Sequence, residues 1–151
     1  MRLSLWTAAG FGTGWAPVAP GTVASAAAVL AGAALFAASP WLLAAAALAA
    51  TIGGYAAIVR VNPKDDPGWV VVDEVAGQWI TLLGLPHVSW LGCALAFLLF
   101  RFFDITKLGP VGWADRQHNA FGIMADDVIA GVIAALLLVA LRLIHPAWVI
   151  S

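Results

Sequence analysis

The sequence is poor in charged residues and in cysteine, and each shortage excludes a class of protein. Charged residues make up 10% of the 151-residue chain, whereas an average soluble domain has about 25%. The single cysteine, Cys93, lies within an apolar stretch, so the chain has no disulfide framework and no cysteine-based metal site. The formal net charge is −1, which does not suit binding to nucleic acid.

Long apolar stretches account for most of the chain, and 63% of its residues are hydrophobic. Five of these stretches have 16–19 residues each, or roughly 24–29 Å as helices, close to the thickness of the hydrocarbon core of a bilayer. We therefore predict an all-α polytopic membrane bundle, one domain over residues 1–151. Its five or so transmembrane helices are predicted at residues 22–38, 41–59, 69–85, 90–105 and 126–144.

The turns and basic residues predict how the chain is threaded. All eight prolines lie outside the five stretches, as expected of uninterrupted helices. The short turns at 39–40 and 86–89 lie on one side of the membrane, and the connections 1–21, 60–68 and 106–125 lie on the other. Five basic residues belong to these longer connections: Arg2, Arg60, Lys64, Lys107 and Arg116. Because short cytoplasmic loops carry excess Lys and Arg, we predict a cytoplasmic N-terminus.

The acidic residues are confined to one part of the chain. All eight lie between residues 65 and 127, and a charged residue at mid-bilayer costs about 2.5–3.5 kcal/mol on insertion scales. The predicted threading brings five of them to a similar depth at the cytoplasmic ends of three helices: Asp73, Glu74, Asp104, Asp126 and Asp127. Oxygen ligands suit Mg²⁺, so we predict that these carboxylates form a magnesium site. In the alternative interpretation they only pair with nearby basic residues.

The remaining acids flank this group. Asp65 and Asp66 lie in a turn between two prolines, and we predict that they are solvated. Asp115 lies in the connection 106–125, directly before Arg116. Lys107 follows the fourth stretch in the same connection. Lysine and arginine stabilise the charge of a transferring phosphoryl group, so substrate contact is one interpretation, and a topology signal that touches anionic lipid heads is the other.

A glycine- and proline-rich loop enters the first predicted helix. Its backbone N–H groups and the hydroxyls of Thr22 and Ser25 could bind an anion, or the two residues could cap the helix. The sequence has no G-x-S-x-G motif and no reactive-cysteine context. If the protein is a hydrolase, a metal-activated water is the natural nucleophile. We predict that His118 is a solvated loop residue.

Four blocks of sequence, in order, resemble the phosphatidylglycerophosphatase A family. They are A-P-G-T-x-x-S within 12–25, V-V-V-D-E-V-A-G at 70–77, R-F-F-D-I-T-K at 101–107 and G-I-M-A-D-D-V-I-A-G at 122–131. The resemblance implies a Mg²⁺-dependent lipid phosphatase of the bacterial inner membrane. Such an enzyme removes the terminal phosphate of phosphatidylglycerophosphate. This chain departs from the family at two places in the same loop. It has Lys-Leu-Gly-Pro at 107–110, where the family commonly has Lys-Pro-Trp-Pro, and residues 117–121 lack the family's paired glycines. The resemblance therefore does not determine which residues of this loop contact the headgroup.

The resemblance, carried over by position, adds to the roles argued from the residues. The predicted catalytic residues are Asp73, Glu74, Asp127 and Lys107, with Asp127 and Glu74 both candidates for the general base. The predicted substrate-binding residues are Thr22, Ser25, Arg101, Lys107, Arg116 and Asp115. The main alternative is a divalent-cation or proton-coupled transporter, in which intramembrane acids form the pathway. A transporter would need polar groups through the bilayer, whereas these acids gather at one face.

Overall fold

The computed structural model describes residues 1–64 and 66–144, and over these residues every regular element is helical. The predicted all-α class is therefore confirmed. The described residues form seven α-helices, and a 3₁₀ helix, Gly10–Trp15, follows the first of them. The α-helices are α1 Arg2–Ala8, α2 Pro20–Ala38, α3 Pro40–Val61, α4 Val72–Leu82, α5 Trp90–Thr106, α6 Pro110–Asp115 and α7 Ala120–Ile144. The predicted solvation of Asp65 lies outside the described residues.

Within residues 1–64 and 66–144, three helices are long and apolar enough to cross a membrane, namely α2, α3 and α7, with 19, 22 and 25 residues. The predicted count of about five is not confirmed. Helix α5 begins at Trp90, as predicted, and has 17 residues. Helix α4 has only 11 residues, or about 16 Å, and this is roughly half of the hydrocarbon core.

The short length of α4 has a tertiary cause. The segment before it packs on the N-terminal helix, and the Val71 backbone N–H donates to the Ala8 carbonyl oxygen at 2.9 Å. Val71 has φ −142°, outside the helical region, so α4 begins after this contact and not at residue 69. The sequence signal for a helix over 69–85 was apolar length alone, which does not report such a contact.

The other helix boundaries follow local chemistry. The Ser39 hydroxyl accepts from the Trp41 backbone N–H at 3.3 Å and caps α3, and the Ser89 hydroxyl accepts from Gly92 at 3.1 Å and caps α5. Proline occupies the first position of α2, α3 and α6, where its missing N–H costs nothing. These caps agree with the predicted turns at 39–40 and 86–89.

Helix α4 is the centre of the bundle and packs against α2, α3, α5 and α7. It crosses α7 where two glycines face each other: a Cβ on Gly131 would collide with the Gly77 carbonyl oxygen, and a Cβ on Gly77 would lie 2.5 Å from the Asp127 carbonyl oxygen. Glycine at such a crossing lets two backbones approach closely. Each glycine lies one helical turn beyond an acid, Asp73 or Asp127, so the crossing also brings these acids together.

The close crossing predicts that Gly131→Ala destabilises the protein. The added methyl group must push α7 away from α4, and overpacking of this kind costs about 1–3 kcal/mol. We expect a lower melting temperature in detergent and a loss of activity, because the acids separate. Gly53→Ala is the matched control, since nothing lies within 4 Å of a Cβ there and alanine is the better helix former. Equal stability of the two variants would contradict the prediction.

Candidate metal and active site

Helices α4 and α7 bring three carboxylates together. One oxygen atom from each of Asp73, Glu74 and Asp127 lies within 4.8 Å of the other two. Asp73 and Glu74 belong to the first turn of α4, where the helix dipole favours negative charge. Asp127 lies in α7 and is 2% exposed, and Asp73 is 4% exposed. We call these residues the three-acid cluster.

The three-acid cluster fits a divalent metal ion. Asp73 Oδ1, Glu74 Oε2 and Asp127 Oδ1 are buried and have no hydrogen-bond partner among the described residues. A buried carboxylate without a partner is costly, and several close together also repel one another. A bound cation would offset both costs, and oxygen is the donor type that Mg²⁺ prefers.

The other two acids of the predicted metal set are bound by basic side chains. The Lys107 ammonium lies 2.5 Å from Asp126 Oδ2 and 3.1 Å from Asp104 Oδ1. Arg101 pairs with the second oxygen of Asp104. The structure thus divides the five predicted ligands into a cluster of three and an ion-paired group of two. The ion-pairing interpretation holds for Asp104 and Asp126, and the three-acid cluster is the part of the site that could bind a metal ion.

Lys107 reaches these acids because of an unusual backbone conformation. It follows the last residue of α5 and has φ 49° and ψ 43°, a left-handed conformation that costs a non-glycine residue roughly 1–2 kcal/mol. Burial disfavours the ammonium, but Asp127, Asp126 and Asp104 outweigh this effect and raise the pKa of Lys107 above its ordinary value. The side chain is therefore a permanent positive charge beside the three-acid cluster.

Arg101 connects this charged group to the start of α2. Its Nη2 lies 3.4 Å from the Thr22 hydroxyl. A Cβ on Gly21 would collide with the Glu74 carboxylate and lie 3.4 Å from Arg101 Nη1, so the first turn of α2 packs directly against the site. Ser25 is fully buried one turn after Gly21, and its hydroxyl donates to the Gly21 carbonyl at 2.8 Å. The capping alternative for these residues is wrong, since the N-cap of α2 is Ala19.

A small cavity opens beside Asp126. It has a volume of about 240 Å³, and its lining residues are Asp66, Asp115, His118, Gly122, Ile123 and Asp126. Asp115 lies 3.8 Å from the Lys107 ammonium, so the cavity reaches the ion-paired group. Asp66 is exposed and lies at the wall of this cavity. The sequence predicted a solvated turn there, but it did not predict that the turn lies close to the site. Arg116 is also exposed. It does not belong to the ion-paired group of described residues around Lys107.

One buried polar residue near the site was absent from the sequence prediction. Gln78 is fully buried, and neither of its amide atoms has a hydrogen-bond partner among the described residues. The signal in the sequence is a single glutamine in an apolar helix, four residues after Glu74. Without the structure it could equally have faced a solvated surface.

The chain was compared with known proteins. The family model of phosphatidylglycerophosphatase A matches residues 6–142. Phosphatidylglycerophosphatase A of Escherichia coli K12 is 42% identical over 135 residues, which cover 85% of this chain and 77% of the relative. The Haemophilus influenzae protein of the same name is 37% identical, covering 89% and 86% of the two chains.

A further relative carries a different name. A Bacteroides thetaiotaomicron protein named "Putative phosphatidylinositol-3-phosphatase" is 37% identical over 151 residues, covering 94% of this chain and 92% of the relative. No solved structure matches the chain. The family model extends over both halves of the acidic site, the first turn of α4 and the α7 pair. The chain belongs to the phosphatidylglycerophosphatase A family.

Proposed function

We propose that the protein is a metal-dependent lipid phosphatase that hydrolyses the terminal phosphomonoester of phosphatidylglycerophosphate, releasing phosphatidylglycerol and phosphate. The observation that carries this proposal is the three-acid cluster with its unpartnered oxygens, beside a lysine that remains charged. The two relatives named phosphatidylglycerophosphatase A support the same substrate.

The chain's residues divide the chemistry between them. Asp73, Glu74 and Asp127 would hold Mg²⁺, which when bound supplies Lewis-acid stabilisation of phosphate charge and activation of water. Lys107 lies where it can offset the developing charge on the phosphate oxygens, while Asp126 and Asp104 hold its ammonium in place. Arg101 adds a second positive charge and is held by Asp104 and Thr22.

The reaction itself requires one bond exchange and two proton movements. A water oxygen attacks phosphorus, and the bond from phosphorus to the glycerol oxygen breaks. A carboxylate of the cluster accepts the proton of the water, and Glu74 and Asp127 remain the two candidates. The glycerol oxygen takes up a proton from solvent and leaves as the alcohol of phosphatidylglycerol.

Metal removal is the direct test of this proposal. Purified protein in detergent should release phosphate from phosphatidylglycerophosphate with Mg²⁺ and lose essentially all activity in EDTA, because the cluster's charge is then uncompensated. Activity should return when Mg²⁺ is restored in excess. Phosphatidylinositol 3-phosphate serves as the comparison substrate, given the name of the Bacteroides relative. A protein that binds Mg²⁺ but hydrolyses neither lipid would favour the transporter alternative.

We also propose that the site faces the cytoplasm, in the inner membrane of a bacterium, with the N-terminus on the same side. The support is the distribution of basic residues among the longer connections and the positive-inside rule. In a Cys93→Ser background, Lys64→Cys should react with a membrane-impermeant thiol reagent only in inverted vesicles. Val88→Cys, in the turn before α5, should react only in right-side-out vesicles. The reverse pattern would place the site outside.

A further inference from the structure

Gln78 is a fully buried polar residue of the described bundle that has no role in the proposed chemistry. Its side chain is fully buried in α4, and both the amide oxygen and the amide nitrogen lack a hydrogen-bond partner among the described residues. A buried amide without partners destabilises a fold, and an apolar residue of the same shape would not. We therefore expect the Gln78 amide to form hydrogen bonds in another state of the site.

Two further groups of the site share this lack of partners. Glu74 lies four residues before Gln78, one turn away on the same face of α4, and its Oε2 is buried and unpartnered. Arg101 Nε is also buried and unpartnered. Glu74 and Arg101 lie together, since a Cβ on Gly21 would contact both side chains.

The three groups are chemically complementary. A carboxylate oxygen only accepts hydrogen bonds, Arg101 Nε–H only donates one, and the Gln78 amide does both. Methionine has the length of glutamine but can do neither. Glutamate would place a second negative charge next to Glu74. Among residues of this size, glutamine alone can connect an acid to a base here without adding charge.

We propose that Gln78 is a positioning residue of the metal site. Its amide N–H donates to Glu74 and its amide oxygen accepts from Arg101 Nε–H when Glu74 turns to bind the metal. The inference rests on the proposed function, because it assigns Glu74 to the metal. Hydrogen bonds of this kind orient a ligand, and their loss typically costs 10–100-fold in metal affinity or activity.

The first measurement is the melting temperature of metal-free protein. Gln78→Met should melt no lower than the unmodified protein, because the amide has no partner to lose. Thr81→Val is the matched control on the same helix. Thr81 is equally buried, but its hydroxyl donates to the Gly77 carbonyl at 2.9 Å, so this variant should melt lower.

The second measurement is the Mg²⁺ concentration that gives half of the metal-induced rise in melting temperature. It should increase about 10–100-fold in Gln78→Met and stay unchanged in Thr81→Val. An unchanged midpoint in Gln78→Met, or a lower metal-free melting temperature, would overturn the positioning role. The same measurements on the unmodified protein distinguish this outcome from failure of the proposed function. If it neither responds to Mg²⁺ nor releases phosphate, the metal site and the role of Gln78 are both wrong.

Discussion

Asp127→Asn is expected to lower kcat/KM for phosphatidylglycerophosphate by about 10³-fold or more. Asp127 is almost fully buried, and its Oδ1 has no hydrogen-bond partner among the described residues, so a bound cation would stabilise its charge beyond what the nearby Lys107 ammonium does. A bound metal supplies several kcal/mol of charge stabilisation, and about 4 kcal/mol corresponds to 10³-fold in rate. Asparagine keeps the size of the side chain, removes its charge and replaces one carboxylate oxygen by an NH₂ group.

The stability of this variant separates a role in catalysis from a role in folding. Without metal, Asp127→Asn should melt at or above the temperature of the unmodified protein, because loss of one buried charge reduces the repulsion within the three-acid cluster. With Mg²⁺, the stabilisation seen in the unmodified protein should be much reduced. Phosphate release within tenfold of normal, from a protein that still folds, would remove Asp127 from the site.

Lys107→Gln is expected to lower kcat by about 10²–10³-fold, the range for removal of one group that stabilises transition-state charge. The ammonium is held by Asp126 at 2.5 Å and Asp104 at 3.1 Å, next to the three-acid cluster. Removing it also leaves Asp126 without a basic partner among the described residues and Asp104 with Arg101 alone, so a lower melting temperature should accompany the loss of activity. Steady-state kinetics and thermal melting of the same preparation measure both effects.

Lys64→Gln is the matched control for this substitution. Lys64 is an exposed lysine in the connection between α3 and α4, and the same change there should alter neither kcat nor the melting temperature. Equal activities of the two variants would favour the alternative in which Lys107 only marks topology and touches lipid heads.

Because the pKa of Lys107 is raised, its charge persists over the whole neutral pH range, and activity lost at mildly alkaline pH would have another origin.

The helices show how far apolar length can predict a membrane fold. The predicted stretches at 22–38 and 41–59 lie within α2 and α3, and the last, 126–144, lies within α7, which begins six residues earlier. Their length and composition leave no other structure that satisfies the backbone in lipid. The stretch at 69–85 is also mostly apolar, despite Asp73, Glu74 and Gln78, yet α4 covers only part of it. The hydrogen bond from Val71 to Ala8 joins residues far apart in sequence, and no local pattern encodes it.

In the acidic site too, the sequence predicts some features and the tertiary structure decides the others. Placement near the ends of helices follows from charge and hydropathy, and the sequence predicted five carboxylates at a similar depth. Depth does not determine which carboxylates meet. The glycine crossing of α4 and α7 joins Asp73, Glu74 and Asp127, while the left-handed backbone at Lys107 directs its ammonium to Asp104 and Asp126.

The sequence by itself determined that this is an all-helical chain with membrane-spanning segments, because low charge and long apolar stretches depend only on composition and order. Its motifs also identified the family. The tertiary structure decided which acids share a cluster, which are paired with bases, and that Gln78, one turn from Glu74, is buried without a partner among the described residues. These outcomes depend on distances of a few ångströms between helices, and such distances are set by packing at positions such as Gly77 and Gly131.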